Sequence, residues 1–206
     1  MRRPPSPARS AALVLAALAL GVFAFFVDAR PAASASGERR FFSARAGVGI
    51  DAPGGWTLSL HTGYPEILCV LLHPDGSRIS VSAALTKAAD AKALAEESRT
   101  GLEAQRLAIK KVADGPRGGL LVEARGVGKD AELRQLYLVR GAGGAKRQGI
   151  VVTLSTRAAT LPTASPAFDW AVAHLVLEVP LEAEESPPKP TARSSAPDAG
   201  AAPARK

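Results

Sequence analysis

Six consecutive apolar residues, Ile67-Leu68-Cys69-Val70-Leu71-Leu72, stand directly before the turn-forming run His73-Pro74-Asp75-Gly76-Ser77. They predict a strand from Glu66 to Leu72, and a strand with Leu68, Val70 and Leu72 on one side and Ile67, Cys69 and Leu71 on the other needs cover on both sides. After the turn, where Gly76 can take a positive φ, residues Arg78 to Leu85 alternate: Ile79, Val81, Ala83 and Leu85 face one way, Ser80, Ser82 and Ala84 the other. The spacing predicts an antiparallel hairpin at the heart of a layered domain.

Further strands are expected at Phe41 to Arg45, Val48 to Ala52, Trp56 to Leu60, Leu120 to Val127, Leu133 to Arg140 and Gln148 to Arg157, with Gly-rich turns such as Gly141-Ala142-Gly143-Gly144 between them. Two helices can supply the cover. From Asp90 to about Ile109, the residues Ala91, Leu94, Ala95, Ser98, Leu102 and Ile109 share one face, and Lys92, Glu96, Arg99, Glu103 and Arg106 share the other. The second helix is expected to open at Ser165 with Pro166 in its first turn, turning Phe168, Ala171, Val172 and Leu175 inward. Antiparallel strands, a helix, more strands and a closing helix predict an α+β domain. One principal helix on each face of a mainly antiparallel sheet makes a three-layer α/β/α sandwich, with Leu94 and Leu102 shielding one side of the Ile67–Leu72 strand and Phe168 and Val172 the other.

The ends of the chain differ in kind from this middle. Arg2, Arg3 and Arg9 precede an uncharged apolar run from Ala11 to Val27, and Ala33-Ser34-Ala35 follows. Positive, then apolar, then small is the order of an export signal, with the arginines holding the amino terminus in the cytoplasm. The run is 17 residues long, six of them Ala. As a helix it spans about 25 Å, slightly short of a hydrocarbon core. Residues 1–28 therefore read as a signal peptide, cleaved after Ala35 or Ala29, or as a signal anchor that contacts the membrane through residues 11–27 if uncleaved. Either fate exports the rest, to the periplasm or to the outer surface of the inner membrane. Residues 29–40 read as a linker, 41–180 as the domain, and 181–206 as a disordered Pro/Ala-rich tail with no large apolar residue after Leu181.

More than half of the formal charge of +7 lies in residues 1–40. Residues 1–40 carry six Arg against Asp28 and Glu38, the tail balances at zero, and residues 41–180 keep only +3. No concentrated basic stretch marks a nucleic-acid partner, and Lys110-Lys111 and Lys146-Arg147 read as solvated strand ends or turns. One cysteine, Cys69, closes no disulfide within the chain and reads as a small buried hydrophobe. The three histidines, His61, His73 and His174, form no metal-ligand spacing, and no serine sits in a Gly-X-Ser-X-Gly elbow. Gly128-Lys129 lacks the rest of a phosphate loop. No cofactor, metal or catalytic set is expected, and the chain reads as a non-enzymatic protein. The candidate ligand or partner surface is Trp56, His61, Tyr64 and Glu66 around Thr62-Gly63-Tyr64-Pro65, since aromatics beside a turn are common in recognition. The alternative is structural: Trp56 plugs the sheet edge and Tyr64 packs under the loop.

Val48-Gly49-Ile50-Asp51-Ala52-Pro53-Gly54-Gly55-Trp56 resembles the opening strand, Pro-Gly-X-aromatic turn and second strand of the PsbP-like superfamily, which includes DcrB-like bacterial envelope proteins. The hairpin through Asp75-Gly76, the long middle helix, the three-strand meander and the closing Phe168-Asp169-Trp170 helix follow in that family's order, over residues 41–180. The resemblance implies a fold that serves non-enzymatic roles: photosystem subunit, import factor, envelope lipoprotein and chaperone of secreted effectors. The chain departs from DcrB-like lipoproteins in lacking a cysteine after the apolar run, and from the effector chaperones in carrying an export segment. The expectation is an accessory or scaffold role in the cell envelope, through contacts with another envelope protein. A carrier or enzyme with an apolar pocket between sheet and helix, and an effector chaperone, are the alternatives.

Overall fold

The structure, a computed structural model, describes residues 39–60, 66–142 and 146–179. In chain order its elements are β1 (Arg40–Ser43), β2 (Val48–Asp51), β3 (Thr57–Ser59), β4 (Ile67–Leu72), β5 (Arg78–Thr86), α1 (Ala91–Ala104), β6 (Leu107–Asp114), a 3₁₀ turn (Pro116–Gly118), β7 (Leu120–Gly126), β8 (Glu132–Gly141), β9 (Arg147–Thr156), α2 (Leu161–Ala173) and β10 (Val176–Leu177). Seven strands form one sheet in the order β3-β4-β5-β9-β8-β7-β6, and β1-β2-β10 form a second, small one. Every pairing is antiparallel. The domain is α+β and mostly sheet. The leader, the linker up to residue 38 and the tail lie outside the described residues, among which no helix is long and apolar enough to cross a membrane.

The central hairpin forms as its pattern dictates. Gly76 takes φ 90°, the Ser77 amide donates to Asp75 Oδ1 at 2.7 Å, and Leu71 pairs with Ile79. An Asp side chain bonding two residues ahead is the turn chemistry that Asp-Gly favours. The first helix departs from its expected length. It begins on the Asp90 cap, whose carboxylate accepts from the Ala93 amide at 2.8 Å, but ends at Ala104. Arg106 then takes φ 57°, a left-handed residue that breaks the helix and releases Leu107–Asp114 as a strand. Ile109, which fits the helical period, therefore sits on β6 and is exposed. The second helix starts earlier than Ser165, at Leu161 with Pro162 in its first turn, and Pro166 lies inside it. Only Pro162 meets the first-turn preference, since Pro166 falls a turn further in.

Cover over the Ile67–Leu72 strand is also arranged differently. Phe168, Ala171, Val172 and Leu175 pack with Cys69, Leu71, Ile79, Val81, Leu136, Leu138, Ile150, Val152 and Leu154. The small sheet adds Val48 and Ile50 to this cluster, a contribution beyond a single covering helix. Leu94 packs instead with Val122, Tyr137 and Val151, and Leu102 with Leu107, Ala124 and Leu133. So α1 covers β6 to β9 and not β4, because its chain runs on into β6 at the far edge of the sheet. Ile67 and Val70 are nonetheless buried. Each fully buried Leu, Ile or Val contributes about 1.5–3 kcal/mol of transfer free energy.

Arg140 fastens the small sheet to the large one. Its Nη1 donates to the Glu178 carbonyl at 2.6 Å and its Nη2 to the carbonyls of Ala46 and Gly47 at 2.6 and 2.9 Å. Its Nε donates to Gln148 Oε1, and Gln148 Nε2 donates in turn to the Ala46 carbonyl.

Candidate interaction surface

The structure separates two of the four sequence-predicted surface residues. Trp56 precedes β3, whose Thr57 pairs with Leu72 at the end of β4, whereas Glu66 immediately precedes the start of β4. The six residues of β4 span about 20 Å between them. Trp56 is 8% exposed and belongs to the main core cluster. Glu66 accepts the Ala83 amide with its carbonyl and is half-buried. His61 and Tyr64 lie outside the described residues.

At the Trp56 end the sequence brings polar groups together. His73 lies against the indole, ring centroids 5.2 Å apart, and its Nδ1 is 2.9 Å from Asp75 Oδ1. Burial pushes the Asp75 carboxyl up, but the Ser77 amide and the His73 imidazole outweigh it and hold the group below its ordinary range. Ser77 Oγ is engaged with Thr156 Oγ1 at 2.7 Å, and Thr156 Oγ1 with Thr160 Oγ1 at 2.6 Å. The hydroxyls thus close onto one another, and the imidazole closes onto the carboxylate that orders its own turn. Such a network fixes the hairpin end, and the hydroxyls of Ser77, Thr156 and Thr160 in it bond one another rather than His73. His174 stacks on Trp170 at 3.9 Å and bonds its carbonyl through Nδ1. Cys69 is buried, and desolvation pushes its thiol up to about 12. Among the described residues no three His, Cys, Asp or Glu side chains converge to hold a metal.

At the opposite end β5 overshoots β4. Ser82 is the last residue of β5 paired with β4, while Ala84, Leu85 and Thr86 continue to pair with Gly149, Gln148 and Arg147 of β9. Leu85, Thr86, Lys87, Lys146 and Arg147 there line a concavity of about 260 Å³. Leu85 is 64% exposed, and Leu60, which leads into the loop before Glu66, is 56% exposed. Lys87, Lys146 and Arg147 form no ion pair among the described residues. The nearby carboxylates are engaged: Asp90 caps α1, and Glu97 accepts from Thr86 Oγ1 at 3.4 Å. An exposed leucine beside three cations that are unpaired among the described residues suits an acidic partner with an apolar centre. Sequence reasoning missed this site, because Lys87 and Lys146-Arg147 meet only through the pairing of β5 with β9 across all of α1 and β6 to β8.

Solved structures with the same fold exist at low identity. The chain is similar to the solution structure of the cyanobacterial PsbP protein CyanoP from Synechocystis sp. PCC 6803, with 16% identity and a TM-score of 0.50 over 71% of this chain and 97% of that one. It is also similar to the crystal structure of LpqN of Mycobacterium tuberculosis, described as involved in cell envelope biogenesis, with 12% identity and a TM-score of 0.51 over 63% of this chain and 82% of that one. No family model and no curated protein matches the chain.

Proposed function

From a chain with a PsbP-like fold and an export-type leader, we propose an exported, non-catalytic accessory protein of the bacterial cell envelope that acts by binding another envelope protein. The domain stands outside the cytoplasm, in the periplasm or tethered by residues 11–27. We read its core as three layers, with α1 on one face of the large sheet and α2 with the small sheet on the other. Neighbouring residues support this: Leu136, Leu138, Ile150 and Val152 join the α2 cluster, and Tyr137 and Val151 join the α1 cluster.

The observation that carries the contact role is the exposed Leu85 beside Lys87, Lys146 and Arg147. This end also holds Glu66 and leads into the loop bearing His61 and Tyr64, so the partner surface consists of those residues and the basic concavity. Trp56 serves the core. A photo-crosslinking amino acid at Leu85, with Val112 on β6 as the control position, tests the reading in intact cells. Adducts with one envelope protein at Leu85 and none at Val112 are expected; equal labelling at both positions, or adducts with cytosolic proteins only, would sink it.

A further inference from the structure

We propose that the basic concavity between the end of β5 and the start of β9 seats this chain's own acidic segment, Leu181-Glu182-Ala183-Glu184-Glu185. The described chain leaves the domain beside this place. The Glu178 amide donates to the Gly47 carbonyl at 2.8 Å, and the Glu178 carbonyl accepts from Arg140 at 2.6 Å. Arg140 is opposite Gln148 in the sheet, and Gln148 is opposite Leu85. Two strand spacings, about 10 Å, therefore separate Arg140, whose guanidinium holds the exit, from Leu85. Extended chain advances about 3.3 Å per residue, so three residues beyond Glu178 bring Leu181 to Leu85.

Charge and chemistry match along the segment. Glu182, Glu184 and Glu185 arrive where Lys87, Lys146 and Arg147 are unpaired among the described residues, and Leu181 arrives where Leu85 is exposed. The backbone agrees as well. The Ala83 amide faces β4 and donates to the Glu66 carbonyl, so by the period of two the Leu85 amide faces the same side, where β4 has already ended. A strand edge left unpaired among the described residues is a template for extended chain, and a segment of the same chain is held there at high effective concentration. The tail uses the surface assigned above to an envelope partner but does not depend on that reading; a partner would have to displace it.

Zero-length carbodiimide coupling of the full chain, followed by mass spectrometry, tests the contact. Lys87 or Lys146 should join Glu182, Glu184 or Glu185 within one molecule, and the yield should fall about tenfold near 1 M salt, where the screening length is about 3 Å. The K87E/K146E/R147E variant should lose the coupling, and adding E182K/E184K/E185K should restore it with the charges exchanged, which separates lost attraction from lost folding. Coupling spread evenly over Lys92, Lys110, Lys111 and Lys129, coupling only between molecules, or no rescue by the exchange would overturn the proposal. Failure here with Leu85 adducts intact in cells removes the tail contact alone, and the converse removes the partner alone.

Discussion

Arg140 shows how one side chain can stand in for a missing strand pairing. Among the described residues the small sheet has no ladder with the large one, and a single planar guanidinium reaches its carbonyls at Ala46, Gly47 and Glu178, of which Ala46 also accepts from Gln148 and Gly47 from the Glu178 amide. Removing that fork leaves three acceptors without it, and hydrogen bonds to a charged group contribute about 1.5–3 kcal/mol each at most. Arg140→Ala should therefore lower unfolding stability by about 2 kcal/mol in urea titration. Arg140→Lys should recover less than half of that, because an ammonium cannot reach the same acceptors at once. Cys69 illustrates the opposite case, a reactive group made inert by its surroundings. With its thiol pushed up to about 12 by burial, it should resist thiol reagents at pH 8 in the folded chain and react at the rate of unfolding once denaturant is added.

Among the elements, strand β6 resists sequence reasoning because its first residues continue the apolar rhythm of the helix before it. Leu102 and Ile109 are seven apart, as a helix face requires, and only the left-handed Arg106 ends that register. Strand β5 was legible because alternation over eight residues admits no helical reading, and the Asp75-Gly76 turn fixed its partner. The turn between β6 and β7 packs against β8 with no room to spare. A Cβ placed at Gly119 would lie 2.7 Å from the Tyr137 carbonyl oxygen, a backbone atom that cannot swing aside. Gly119→Ala should cost about 1–3 kcal/mol, while Gly54→Ala, with nothing within 4 Å, should lie within about 0.5 kcal/mol of the parent in the same thermal or urea assay.

For the whole molecule, the fold class and eight of the strands could be read from residue periods, since burial on one or two faces writes itself into local sequence. The proposed interaction surface could not, because it arises from residues brought together by strand order. Acid sensitivity is a property at this scale too. The Arg40 hydrogen bond holds the Asp51 carboxyl below its ordinary range, as the Ser77 amide and His73 do for Asp75. The unfolded chain then takes up protons first as pH falls, so both contributions are complete above about pH 4 and fade as pH drops through the folded values. An Asp51→Asn/Asp75→Asn variant should show a shallower loss of stability below pH 4 than the parent, with denaturant midpoints measured at each pH.

Strands β1 and β10 flank β2 and run in the same direction, one beginning at the Asp51 end and the other finishing at the Val48 end. Tension applied between the leader and the tail would therefore drag the two outer strands lengthwise along β2 in opposite senses. The three-stranded patch would meet such a pull as a rivet does, bearing load across all its rungs together, and not as a zipper opened from one tooth.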